Sequence, residues 1–261
     1  MEIIIVDRPA DAAPIVADAY TRLLTTKPDA VLGLATGSTP LDVYAELIRR
    51  HREEGLSFAR ARAFLLDEYV GLPADHPERY RSFIEREFTG QVDLDPDAVV
   101  GPDGLAEDLE AAGREYEAAI KAAGGVDIQI LGIGSDGHLA FNMPMSSLTS
   151  RTRLKTLTSK TRQDNARFFD GDLTKVPTHC LTQGLGTIME SRHALMLGFG
   201  RGKAQAVREC VEGAVSAHWP ASILQMHPHA TVVVDEDAAS QLAFTGYYRS
   251  TFEGKPAWQG I

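Results

Sequence analysis

The chain has 261 residues, enough for one large domain or two small ones, and its 44% hydrophobic content is ample for a buried core. A net charge of -10 argues against nucleic acid as a partner, and two cysteines, Cys180 and Cys210, make neither a disulfide framework nor a metal spacing, so both read as small buried hydrophobes. The opening MEIIIVD lacks the basic and apolar regions of a signal peptide and no apolar run reaches membrane-spanning length, so a soluble cytoplasmic protein is expected.

The first apolar, β-rich run covers residues 3–6. A helical pattern follows, with Ala12, Ile15, Val16, Ala19, Tyr20, Leu23 and Leu24 on one face. A second run, 30–35, ends in GLATGSTP at 33–40. There the strand stops at Ala35, Thr36 to Thr39 form a turn, and Pro40 suits the first helical position, with Val43, Leu47 and Ile48 continuing the helix. Free N–H groups at a helix start, beside glycine and hydroxyls, suit a phosphate. The turn reads equally as an ordinary capped connection, and it is not a Walker A loop, because no Gly-Lys-Ser/Thr follows.

The run 61–66 leads into LLDEYVGLP at 65–73, which places Asp67 and Glu68 where an apolar strand stops. A carboxylate there can be tuned by burial and can take a proton α to a carbonyl. Alone, Asp67 reads more simply as a turn or cap residue. Leu109, Ala112, Tyr116, Ala119 and Ile120 mark another helix, and a further run covers 127–133.

That run ends in LGIGSDGHLAFNMP at 131–144, which sets Asp136 two residues before His138 in a glycine-rich turn. The pair can move protons near neutral pH. Gly132, Gly134 and Gly137 match a dinucleotide fingerprint, but that needs a helix opening on the last glycine. Here Pro144 turns Met143 away from helix, so the segment reads as a strand-end loop that presents side chains.

Residues 145–163 contain no acid but carry Arg151, Arg153, Lys155, Lys160 and Arg162. This reads either as a solvated loop or helix face, or as an anion site or the lid over one. Runs at 194–199 and 231–234 complete the strands. GFGRGKAQAV at 198–207 repeats the strand, glycine turn and helix order, with Lys203 in the first turn. A cation there opposes the helix dipole unless an anion is bound. His227 and His229 have no carboxylate or cysteine to complete a metal set and read as loop structure, as do His218 and Trp219.

Alternating strands and helices predict an α/β fold with a mostly parallel sheet, helices on both faces and ligands at the strand carboxyl ends. The motifs together point to a small phosphorylated substrate and proton transfer, as in a sugar-phosphate isomerase or hydrolase.

Nearly end to end, the chain resembles the glucosamine-6-phosphate deaminase family. The resemblance rests on GLATGSTP, LDEYVGLP at 66–73, GSDGHLAFN at 134–142, SRTRLKTL at 150–157, NARFF at 165–169 and LQMHP at 224–228. It implies a three-layer α/β/α sandwich with a Rossmann-like sheet, one domain over 1–261, and a mobile lid within 145–185. It implies conversion of D-glucosamine 6-phosphate and water to D-fructose 6-phosphate and ammonia, with no metal or organic cofactor. Asp67 is then the base that carries the C2 proton to C1, Asp136 and His138 open the sugar ring, and Gly37, Ser38, Thr39, Arg167 and Lys203 surround the phosphate. In allosteric members, which are hexamers, Ser146, Arg153, Lys155 and Thr156 fall where N-acetylglucosamine 6-phosphate is bound.

One catalytic position departs. The family pattern is Asn-Glu-Pro, with the glutamate completing a ring-opening triad; this chain has Asn142-Met143-Pro144. Methionine is uncharged and at best a weak acceptor, so it cannot orient an imidazole as a carboxylate does. Three readings follow: a deaminase whose ring opening is slowed or rests on Asp136 alone, a divergent or engineered member with a changed substrate, and a sugar-phosphate binder with little turnover. The persistence of Asp67, Arg167 and Lys203 favours the first two. The rival activity is 6-phosphogluconolactonase, which has no use for a C2 base in the LDEYVGL context.

Overall fold

The computed structural model describes residues 1–256 and 258–261. β1 (Glu2–Val6) is followed by α1 (Ala12–Thr26), which buries Val16, Ala17, Tyr20 and Leu24 on one face. β2 (Val31–Leu34) leads to α2 (Leu41–Glu54), whose Val43, Tyr44, Leu47 and Ile48 are buried. Next come β3 (Arg62–Leu65), β4 (Asp67–Tyr69), α3 (Tyr80–Glu87) and the two-residue β5 (Val99–Val100). α4 (Leu109–Ala122) is capped by Asp108, whose carboxylate accepts the Ala111 N–H at 2.9 Å. β6 (Ile128–Gly132), β7 (Arg153–Thr156), α5 (Ser159–Asn165) and β8 (His179–Thr182) follow. The chain continues through α6 (Leu185–Met189), β9 (His193–Gly198), α7 (Ala204–Val211), β10 (Ala230–Asp235), α8 (Glu236–Ala239) and α9 (Thr245–Glu253). Among the described residues, no helix is long and apolar enough to cross a membrane.

Seven strands form a parallel sheet in the order β1-β10-β9-β6-β2-β3-β5. The expected α/β class and parallel sheet are borne out. β2, β9 and β10 are buried at every residue, the reason their sequences are continuously apolar. Alternation assigns the faces. Leu32, Leu34, Ala63 and Leu65 join the main core with α2, while Val31 and Phe64 pack with Tyr116 and Ile120 of α4. From β2 the chain builds outwards through β3 and β5, then returns to place β6 on the other side of β2. Strand order therefore reverses between β2 and β6, which pair only through Leu32 with Ile128 and Gly33 with Gln129. Such a reversal opens a crevice at the strand carboxyl ends.

A second, antiparallel sheet in the order β4-β8-β7 lies outside the sequence expectations. It corrects the reading of the basic segment as loop or helix face: Arg153 and Lys155 stand on an edge strand, and only residues from Ser159 onwards are helical. A separate apolar cluster lies beside it, built from Tyr69, Leu72, Phe141, Leu157, Phe169 and Val176 among others. Pro40, expected at the first helical position, instead caps α2 one residue earlier.

Candidate active site

At the strand-order reversal lies a cleft of about 580 Å³. Residues following β2, β3, β6 and β9 line it, together with residues of α5 and the turn beyond it.

The link from β3 to β4 is fixed by its carbonyls. Tyr116 and Gln183 side chains donate to Leu65 O, and the Gln183 N–H donates to Leu66 O at 2.8 Å. This delivers Asp67 into the cleft at 6% exposure. Among the described residues its carboxylate takes no hydrogen bond, and burial, helped by neighbouring Glu68, pushes its pKa well above the carboxylate range. Glu68 turns the other way. It accepts the N–H groups of Tyr69, Tyr80 and Arg81 at 2.9, 3.0 and 3.1 Å, and so holds the start of α3. The two adjacent acids thus have different surroundings: one is a buried, poorly solvated carboxyl, the other accepts the backbone N–H groups that open α3.

Beyond β6 the turn presents His138. Its Nδ1 lies 2.6 Å from Asp136 Oδ1, and hydrogen bonding to His138 holds the Asp136 pKa down to about 2. An ionised acceptor places the imidazole proton on Nδ1 and leaves Nε2 for a ligand. Gly134 makes room for this pair, since a β-carbon there would overlap the imidazole. His138 lines the cleft and Asp136 stands behind it.

Gly37, Ser38 and Thr39 line the same cleft, and Gly37 adopts the left-handed φ of 86° that turns the loop. Arg167 and Lys203 also reach it. The Arg167 guanidinium stacks 4.7 Å over the Phe168 ring. Burial lowers the Lys203 pKa, against the opposing pull of Asp136 and Asp164. An anion beside Lys203 would offset that burial penalty. Hydroxyls, backbone N–H groups and two cations suit a phosphate, while Asp67 and His138 suit proton transfer on the remainder of the same molecule.

Met143 is not among the cleft-lining residues. It packs against the apolar cluster with Tyr69 and Phe141. The four residues assigned by resemblance to an allosteric site are not all on one surface. Ser146 is buried with no partner for its hydroxyl, Arg153 and Lys155 share one face of β7, and Thr156 lies on the opposite face. His227 and His229 sit in loop structure: His227 Nε2 meets Ser191 O at 2.9 Å and its Nδ1 accepts the His229 N–H.

Three contributions were missed. Trp219 packs beneath Gly137, and the Ala221 N–H donates to Gly137 O at 2.8 Å, bracing the histidine turn from eighty residues away. Tyr80 and Asn165 also line the cleft. Only Asn165 carried a signal, as the first residue of NARFF.

The fold and the cleft define an α/β/α sandwich enzyme whose cleft at the strand ends gathers cations, hydroxyls, a buried carboxyl and a histidine. The profile of the glucosamine-6-phosphate isomerases/6-phosphogluconolactonase family matches residues 8–234. The chain belongs to that family. It is 64% identical to the glucosamine-6-phosphate deaminases of Mycolicibacterium smegmatis and Beutenbergia cavernae, over 261 residues and the whole of each chain. Among solved structures it is similar to a glucosamine-6-phosphate deaminase described as monomeric. The TM-score is 0.89 and the identity 43%, over 92% of this chain and 100% of the other. The 6-phosphogluconolactonase of Trypanosoma cruzi shares the fold, with a TM-score of 0.71 and 21% identity over 93% of this chain and 97% of its own.

Proposed function

We propose that the protein isomerises and deaminates D-glucosamine 6-phosphate to D-fructose 6-phosphate and ammonia. The carrying observation is the buried, unpaired Asp67 in one cleft with His138, Arg167 and Lys203. Full-length identity to curated deaminases supports the same reading. The 36–39 turn, Arg167 and Lys203 hold the phosphate. His138, oriented by Asp136, passes a proton between the anomeric hydroxyl and the ring oxygen, which opens the sugar to its C1 aldehyde. Asp67 then removes the C2 proton, and its raised pKa suits it to accept one. The resulting enol-type intermediate takes the proton at C1. Water adds to the C2 imine that forms, and ammonia leaves. Because Met143 supplies no charge, ring opening rests on Asp136 and His138 alone and is slowed. Residues 145–185 act as a lid within a single domain, and the buried free thiols of Cys180 and Cys210 suit a reducing, cytoplasmic setting.

Two assays test this. Incubation with D-glucosamine 6-phosphate releases ammonia, and in deuterated water the C2 proton exchanges with solvent. Asp67→Asn lowers both by about 10²-fold or more. Wild-type protein that gives neither signal, even with an open-chain substrate, overturns the assignment; hydrolysis of a 6-phosphogluconolactone instead would favour the rival activity. The buried, unpartnered Ser146 hydroxyl and the Arg153–Lys155 face also support an anion site for N-acetylglucosamine 6-phosphate. Allosteric relatives implied by the resemblance are hexamers, so ammonia release and light scattering, each with and without that sugar, report activation and assembly together.

A further inference from the structure

Residues 158–177 meet the rest of the molecule through apolar side chains and a single polar tie. Ala166, Phe169 and Val176 pack with Tyr69, Leu72, Phe141 and Leu157. Asn165 Nδ2 donates to the Tyr69 hydroxyl at 2.8 Å. Among the described residues this is the only hydrogen bond from 158–177 to the rest of the chain. The Arg162 guanidinium bonds Leu173 O and Val176 O, and the Lys160–Asp164 and Lys175–Asp170 ion pairs also stay inside the segment.

Both ends of the tie are placed to matter. Tyr69 lies two residues beyond Asp67 on β4, hence on the same face of the strand. Its ring is 2% exposed and is fixed by Tyr80 at 4.7 Å and Phe169 at 5.9 Å. Asn165 ends α5, one residue before the short turn Ala166–Phe168 that carries Arg167. The bond therefore connects the strand bearing the base to the turn bearing a phosphate cation. Apolar contacts tolerate sliding, whereas a hydrogen bond weakens steeply with angle and distance.

We propose that Tyr69 and Asn165 are positioning residues, whose hydrogen bond latches the segment over the cleft and sets Arg167 towards the substrate phosphate. The part played by Arg167 rests on the deaminase reading; the latch itself does not. Tyr69→Phe keeps the ring and removes the hydroxyl. It raises KM for D-glucosamine 6-phosphate roughly three- to tenfold, the range of one net hydrogen bond, with kcat within about twofold. Asn165→Ala raises KM similarly, and the double variant is no worse than the worse single one. Without substrate, trypsin cuts after Arg162 faster in Tyr69→Phe than in wild type by a similar factor.

An unchanged KM, additive effects in the double variant, or an unchanged cutting rate overturns the latch. So does a fall in kcat and thermal stability at constant KM, the mark of a merely structural side chain. Wild-type protein that releases no ammonia sinks the deaminase reading alone, since the tryptic comparison needs no substrate and still decides the latch.

Discussion

Met143, at the position where the family resemblance implies a glutamate, packs its side chain against an apolar cluster. A carboxylate at that position meets mostly apolar surface from Phe141, Leu157 and the aromatic rings, and leaving it there would cost much of its desolvation. The family resemblance implies that such a carboxylate serves the imidazole of His138. Met143→Glu therefore raises deaminase turnover, by about tenfold or more, as an orienting carboxylate is restored to the histidine. Steady-state ammonia release measures it, and a rate equal to wild type would show that ring opening is not what Met143 limits. The gain comes with weaker packing in the cluster, because a methionine that fills space is exchanged for a group that must face away from it.

Below the cleft, the apolar side chains divide into separate clusters. The main sheet has a large one and a second between β2, β3 and α4, and residues around 157–178 share a smaller core with β4 and β8. Leu157→Ala removes a side chain 5% exposed in the smaller core, a change of the kind that costs about 2–5 kcal/mol. Its effect is local: hydrogen exchange speeds up across 158–178 while the amides of β9 and β10 keep their protection. Loss of protection throughout would show that the cores are one cooperative unit.

The same division explains what the sequence could reveal. Strands buried on both faces announce themselves as apolar runs, so six of the seven central strands were legible. β5 has two residues, and β4 spells Asp-Glu-Tyr with no apolar alternation at all. β7 spells Arg-Leu-Lys-Thr, with too little apolar content to mark a strand, and it is held by pairing with β8, some twenty-five residues away. In the cleft, His138, Gly37 and Lys203 drew attention because each sits in a short motif at an element boundary, whereas Asp67 alone read as a turn or cap residue and Arg167 came only with the family resemblance. The opposite turns of Asp67 and Glu68, the support of Trp219 and the tie from Asn165 to Tyr69 depend on long-range packing that no local spacing encodes.

Across the whole molecule, the end of the sheet away from the cleft has an electrostatic character of its own. His193 at the start of β9 stacks on His229, with ring centroids 3.8 Å apart, and its Nε2 meets Thr231 Oγ1 at 2.9 Å. Burial, with His229, His227 and Lys255 adding to it, lowers the His193 pKa from 6.5 to about 3. Glu2, paired with Lys255, is the nearby counter-charge. In this window the unfolded chain binds a proton that the folded chain refuses, so stability is full above pH 6.5 and falls as pH drops towards 3. His193→Asn flattens that loss, visible as a shallower fall in Tm between neutral and acid pH; an identical slope would place the acid sensitivity elsewhere.

The edge of the sheet has a further consequence, for biosynthesis. Among the described residues β1 pairs with β10 alone, Glu2 against Thr231 and Ile4 against Val233. A ribosome releases the Ile-Ile-Ile-Val strand more than two hundred residues before β10, the strand that receives it among the described residues. At ordinary elongation rates, the interval is on the order of tens of seconds. Through that time this apolar stretch has no native neighbour, so closure of the sheet waits for translation and a nascent-chain chaperone has a defined segment to guard.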